Sequence, residues 1–253
     1  MKRPFNCLAA LVVVLALGPP AGATAAPTVS LKVKVVPIPG FPHTGYILGA
    51  GAAVEIDTTI TGTEYGGFPP PLIGFTGYLP QGVRVHPQGF PTCPLAALER
   101  TGVCPAHSRA GPAGHALGVV SFGSERVPEE VSVQPYLAPG GLEFYVQGHT
   151  PVALELISKG YFAPAGGLFD EKFIGEVPLV ETVPGAPDAS AESISVTIGA
   201  AIRLHGKTLY YGRVPKTCPR GGFPVRAELI FAGLGGLAQQ TVTSSSTVPC
   251  PKK

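Results

Sequence analysis

The chain has 253 residues, 13% charged and 45% hydrophobic, with no Trp and a formal net charge of +2. Of its 18 Lys and Arg residues, Lys2 and Arg3 sit in an N-terminal leader; the 16 that remain face 16 Asp and Glu. That balance excludes the basic excess of a nucleic-acid binder, and with only Asp57, Asp170 and Asp188 there is no acid-rich calcium loop.

Lys2 and Arg3 precede an apolar run of 11 residues, Leu8 to Gly18; Pro19-Pro20 and the small residues Ala21 to Ala26 follow. This is the layout of a secretory signal, and the run is too short to span a bilayer as a helix. Residues 1–25 are read as a signal peptide, cleaved after Ala25 or nearby. Residues 26–253 are read as a single secreted domain, extracellular or wall-associated, with no transmembrane segment. Asn6 is the only Asn, so the mature chain carries no N-glycosylation sequon.

From Val29 to Val35 apolar and polar residues alternate, and Val54 to Ile60 repeats the pattern. Period two means a strand with one buried face. Further strands are expected at Leu72 to Tyr78, Gly82 to His86, His115 to Phe122, Val131 to Leu137, and Leu142 to Val146. The series continues with Val152 to Ile157, Phe173 to Val180, Ser193 to Leu204, Thr208 to Tyr211, Val225 to Phe231, and Thr241 to Val248. Clusters such as Pro69-Pro70-Pro71 and Pro139-Gly140-Gly141 punctuate them. One short helix is expected from Pro94 to Thr101, stopped by Gly102. The turn-rich stretch Glu181 to Glu192 reads as a mobile loop. These segments together imply an all-β fold class: a two-sheet antiparallel sandwich, Ig-like or jelly-roll-like, with one short helix.

Cys7 leaves with the leader. Cys93, Cys104, Cys218 and Cys250 enter an oxidising compartment. Their spacings lack a C-x-x-C pair, which fits zinc poorly. Local disulfides, Cys93 with Cys104 and Cys218 with Cys250, are expected instead, and no metal and no cofactor.

There is no G-x-S-x-G elbow, H-E-x-x-H, P-loop or dinucleotide fingerprint. The six histidines fall at no ligand spacing. Glu129-Glu130 and Asp170-Glu171 are neighbours on strands, so each pair faces opposite ways. Glu143 and Glu155 lie on adjacent expected strands, and a glycosidase would need two such acids about 5 to 10 Å apart. Tyr65, Tyr78, Tyr136, Tyr145, Tyr161, Tyr210 and Tyr211 could line a ligand face.

Leu79-Pro80-Gln81-Gly82, then Cys93, then Cys104-Pro105-Ala106-His107-Ser108-Arg109-Ala110-Gly111 form an L-P-x-G…C…C-P-x-x-S-x-x-G pattern. It resembles a pattern in uncharacterised exported β-rich proteins of GC-rich Gram-positive bacteria. The resemblance implies an envelope or extracellular location and carries no catalytic residue. The function expected is non-enzymatic: a structural or ligand-binding protein outside the cell, partnered by a cell-envelope component or an extracellular ligand. The rival expectations are a secreted hydrolase with a dispersed site and a carbohydrate- or peptide-binding module.

Overall fold

A computed structural model describes residues 26–85, 88–122, 125–150, 153–179, 189–233, 236 and 238–252. Residues 1–25, expected to be a signal peptide, and His86, Val152, Val180 and residues 181–188 lie outside the described residues. Fifteen strands and one helix stand among those described. The strands are β1 (Thr28–Val36), β2 (Ala53–Thr61), β3 (Leu72–Pro80), β4 (Arg84–Val85), β5 (Gly114–Phe122), β6 (Glu125–Ala138), β7 (Gly141–Gly148) and β8 (Leu154–Pro164). They continue with β9 (Phe169–Glu176), β10 (Ser190–Ile198), β11 (Ala201–Leu204), β12 (Lys207–Tyr210), β13 (Gly212–Arg213), β14 (Phe223–Phe231) and β15 (Gln240–Val248). Helix α1 spans Leu95–Thr101.

The all-β class with one helix is the observed one. The two-sheet sandwich is corrected: eleven strands form one antiparallel sheet, ordered β1-β2-β10-β5-β6-β7-β8-β9-β3-β14-β15, nearly closed into a barrel. Period two reports that one face of a strand is buried, and a barrel interior and a sandwich interior give the same alternation. Closure depends on bringing the first and last strands together. Ten antiparallel pairings leave β1 and β15 pointing the same way. They lie side by side, and among the described residues no hydrogen-bonded ladder joins them. Val33 and Val35 of β1 pack with Phe223, Val225 and Val248 across this seam. Lys32 and Lys34 face outward along β1, a charged edge that discourages pairing with another chain.

The register assigns each face. Leu31, Val33 and Val35 oppose Thr58, Ile56 and Val54, all inward; Lys32 and Lys34 oppose Asp57 and Glu55, all outward. Lys34 bridges Glu55 at 2.6 Å, and Ser195 of β10 donates to Asp57 at 2.7 Å. Inside, Phe75, Phe144, Phe162 and Phe173 form a cluster with ring centroids 5.0 to 6.1 Å apart. Gly160 and Gly175 make room for it. A Cβ on either would overlap the Phe173 or the Phe75 ring.

Several boundaries move. Glu125 to Glu130 extends β6. Ser190 to Glu192, expected in a loop, opens β10. The expected strand Ser193 to Leu204 breaks at Gly199, which runs so close to Ala53 that a Cβ would overlap its backbone. Its second half becomes the β11–β12 hairpin.

Candidate functional site

The long connections gather at one end of the barrel, where β1, β3, β6, β8, β10 and β15 finish. Residues 37–52, 81–85, 88–113 and 199–222 meet there. Arg84–Val85 of β4 pairs with Gly212–Arg213 of β13, and Gly51 bridges to Arg213 on the other side. Backbone bonds from Ala52 to Gly212 and from Val214 to Ala50, at 3.2 and 3.0 Å, tie the loops together. Phe90 and Tyr211 point down from this lid into the barrel's core, their rings edge to face at 5.8 Å, with Val85, Ile202 and Leu209 packed around them.

Both disulfides brace the same end. Cys93 is bonded to Cys104 with Cα atoms 5.1 Å apart, and Cys218 to Cys250 at 5.8 Å. The first pair closes because α1 has only seven residues and reverses at Gly102, whose left-handed backbone (φ 63°) lets its N–H bond Leu98 O at 2.9 Å. Leu98 is then buried on Cys93, Tyr136 and Tyr145, so the helix covers the outer face of β6 and β7. Tyr46 donates to Pro249 O beside the second disulfide.

The motif residues serve this scaffold. Val83 N–H bonds Pro80 O at 3.1 Å across a turn that Gly82 permits, and Gly82 N–H bonds Asp170 at 2.8 Å. Ser108 is buried and donates to Pro105 O at 2.7 Å.

Below the lid, the inward faces of the strands enclose a cavity of about 450 Å³. Its wall is nearly all aliphatic and aromatic: Val33, Ile56, Phe75, Val131, Val146, Leu156, Val196 and Leu229 stand around it. At Gly77 of β3, between Phe173 and Ala227 in register, a Cβ would meet nothing within 4 Å. An eight-stranded barrel is just filled by its own side chains, and larger ones enclose chambers. Eleven strands therefore leave space here. Away from the lid the lining runs out to Leu179, which is partly exposed.

Among the described residues, few polar groups reach this interior. Ser158 is satisfied by Glu176 O at 2.6 Å. Glu129 is 1% exposed, lines the wall near the far end and packs over Gly148; Glu130 faces out. Tyr211 is 2% exposed, lines the cavity, and its hydroxyl bonds no described residue. Burial, and then the neighbouring Glu171 carboxyl, push its phenol far above the usual tyrosine range. No motif marked Tyr211. Its neighbour Tyr210 lies under Arg213, 4.6 Å from guanidinium carbon to ring centroid, at the outside of the same lid.

The other expected groups do not converge. Glu143 pairs with Lys159 and Glu155 with Gln147, four residues apart along the ladder, or about 13 Å at the usual strand rise. Glu143 is 5% exposed under α1; burial raises its carboxyl above the usual range, Lys159 opposes the shift, and Glu99 adds to it. His43, His107 and His205 occupy left-handed turn positions. Among the described residues no three His, Cys, Asp or Glu side chains gather to hold a metal. The tyrosines form no row: Tyr136 and Tyr145 are buried under α1, Tyr78 lies beneath Arg226, and Tyr161 is exposed on β8. Among the described residues no helix is long and apolar enough to cross a membrane.

No protein-family model, no curated protein and no solved structure matches this chain.

Proposed function

We propose that this chain is an exported, non-catalytic binding protein that holds one apolar small molecule inside its barrel. The apolar chamber of about 450 Å³ carries the reading. That volume lies within the roughly 300 to 1,000 Å³ of small-molecule sites, which are largely apolar and preformed. A void of this size costs dispersion contacts and transfer energy when left empty, so a sequence selected for stability alone would fill it. Two disulfides suit an oxidising space outside the cell and brace the lid end. The knitted loops close that end, so the ligand enters at the opposite one, past Leu179.

The test is a titration of the purified mature chain with N-phenylnaphthylamine, a dye that fluoresces in apolar surroundings. Saturation at one dye per chain, lost in Gly77→Phe, is the expected result. A linear, unsaturable response would overturn the reading.

A further inference from the structure

The chamber has a polar feature at its lid end, and what it implies for the ligand rests on the binding function proposed above. Tyr211 hangs from the lid, held by its own N–H on Ala200 O at 2.8 Å and by its ring against Phe90. Its hydroxyl is shut from solvent and bonds no described residue. Glu171 of β9 shares the inward face with Leu79 and Phe173. Its Oε2 is likewise shut from solvent without a described partner. A buried hydroxyl left unpaired costs about 1 to 3 kcal/mol. Here a donor and an acceptor lie together at the lid end of a mostly apolar chamber, Tyr211 on its lining and Glu171 beside it, near enough for the carboxyl to act on the phenol.

The geometry points to a ligand that is a neutral long-chain or polycyclic alcohol, its hydroxyl at the lid end accepting from Tyr211 and donating to Glu171, its hydrocarbon body filling the chamber. A hydroxyl serves both partners at once. A carboxylate head would set a second acceptor against Glu171 with one donor between them. A hydrocarbon would leave both groups unpaired. The raised phenol keeps the Tyr211 proton in place as a donor through the neutral range.

Hexadecanol, palmitate and hexadecane share a chain and differ at the head. Each is used to displace N-phenylnaphthylamine from the wild type, Tyr211→Phe and Glu171→Gln. Hexadecanol is expected to bind tightest to the wild type. Tyr211→Phe should weaken hexadecanol about tenfold, as for one lost buried hydrogen bond, and leave hexadecane unchanged. Glu171→Gln should narrow the gap between hexadecanol and palmitate, because an amide offers a donor. If hexadecane binds and hexadecanol gains nothing over it, or Tyr211→Phe weakens both equally, the head-group assignment is wrong while the chamber stands. If none of the three displaces the dye, the binding function itself fails.

Discussion

Gly77→Val tests whether the interior is hollow. Gly77 sits mid-strand in β3, in register with Ala227 and Phe173, and a Cβ there meets nothing within 4 Å. Replacing a strand glycine reduces the freedom of the unfolded chain, a gain of about 0.4 to 1 kcal/mol. Burying a valine side chain adds about 1.5 to 3 kcal/mol when it is fully surrounded, and less in a chamber where neighbours touch only one side. We expect a net stabilisation of about 2 kcal/mol, which for a domain of this size raises the Tm by about 4 to 8 °C. Dye affinity should fall in the same variant, since the side chain takes ligand volume. The control is Gly160→Ala, where the new Cβ would overlap the Phe173 ring and crowd Ile174 O. It should destabilise by about 1 to 3 kcal/mol, as overpacking does. Thermal and urea unfolding measure both. A Gly77→Val protein less stable than the wild type by about 1 kcal/mol or more would mean that the space is already occupied and that the barrel is not hollow.

Replacing Cys218 and Cys250 by Ser opens a loop of 32 residues, which costs about 3.5 to 4 kcal/mol on the loop-entropy account. Hydrogen exchange should rise first along Thr241 to Val248 and along β1 across the seam; equal protection in both proteins would show the cross-link idle. Glu143 has a raised folded pKa, caused first by burial. Its unfolded form therefore loses the proton first, and stability falls as pH rises from about 4.5 through the folded value. Glu143→Gln should abolish that fall, so the variant gains on the wild type as pH rises; a constant difference from pH 4 to 8 would contradict the burial assignment. N-terminal sequencing of secreted protein should begin at Ala26, and a start at Met1 would show that the leader is not a cleaved signal peptide.

Much of the strand inventory was legible because alternation is local. Val29 to Val35 announces β1 without reference to anything else in the chain. What pairs with it is not local. The seam joins residues more than two hundred positions apart, and Val248 beside Val33 leaves no mark on either segment. The sandwich expectation failed there. The chamber was hidden for a similar reason. Gly77, Gly160 and Gly175 are all strand glycines in the sequence, yet two shelter aromatic rings and one faces open space. The cysteine spacing did carry its pairing, because short loops close locally. The C-P-x-x-S-x-x-G residues carried only a resemblance; in the structure they form a turn around a buried Ser108. Tyr211 stood among the other tyrosines with nothing to single it out. Its meaning comes from the lid that holds it and from Glu171, forty residues earlier in the chain.

The hollow barrel itself is open to direct inspection in a crystal structure under xenon pressure. Xenon enters dry apolar cavities and avoids packed or water-filled ones. Xenon peaks are expected in the chamber between Gly77, Phe75, Val131 and Leu229, and none in Gly77→Phe. A lumen filled by side chains or by ordered water, with no xenon in it, would contradict the binding chamber.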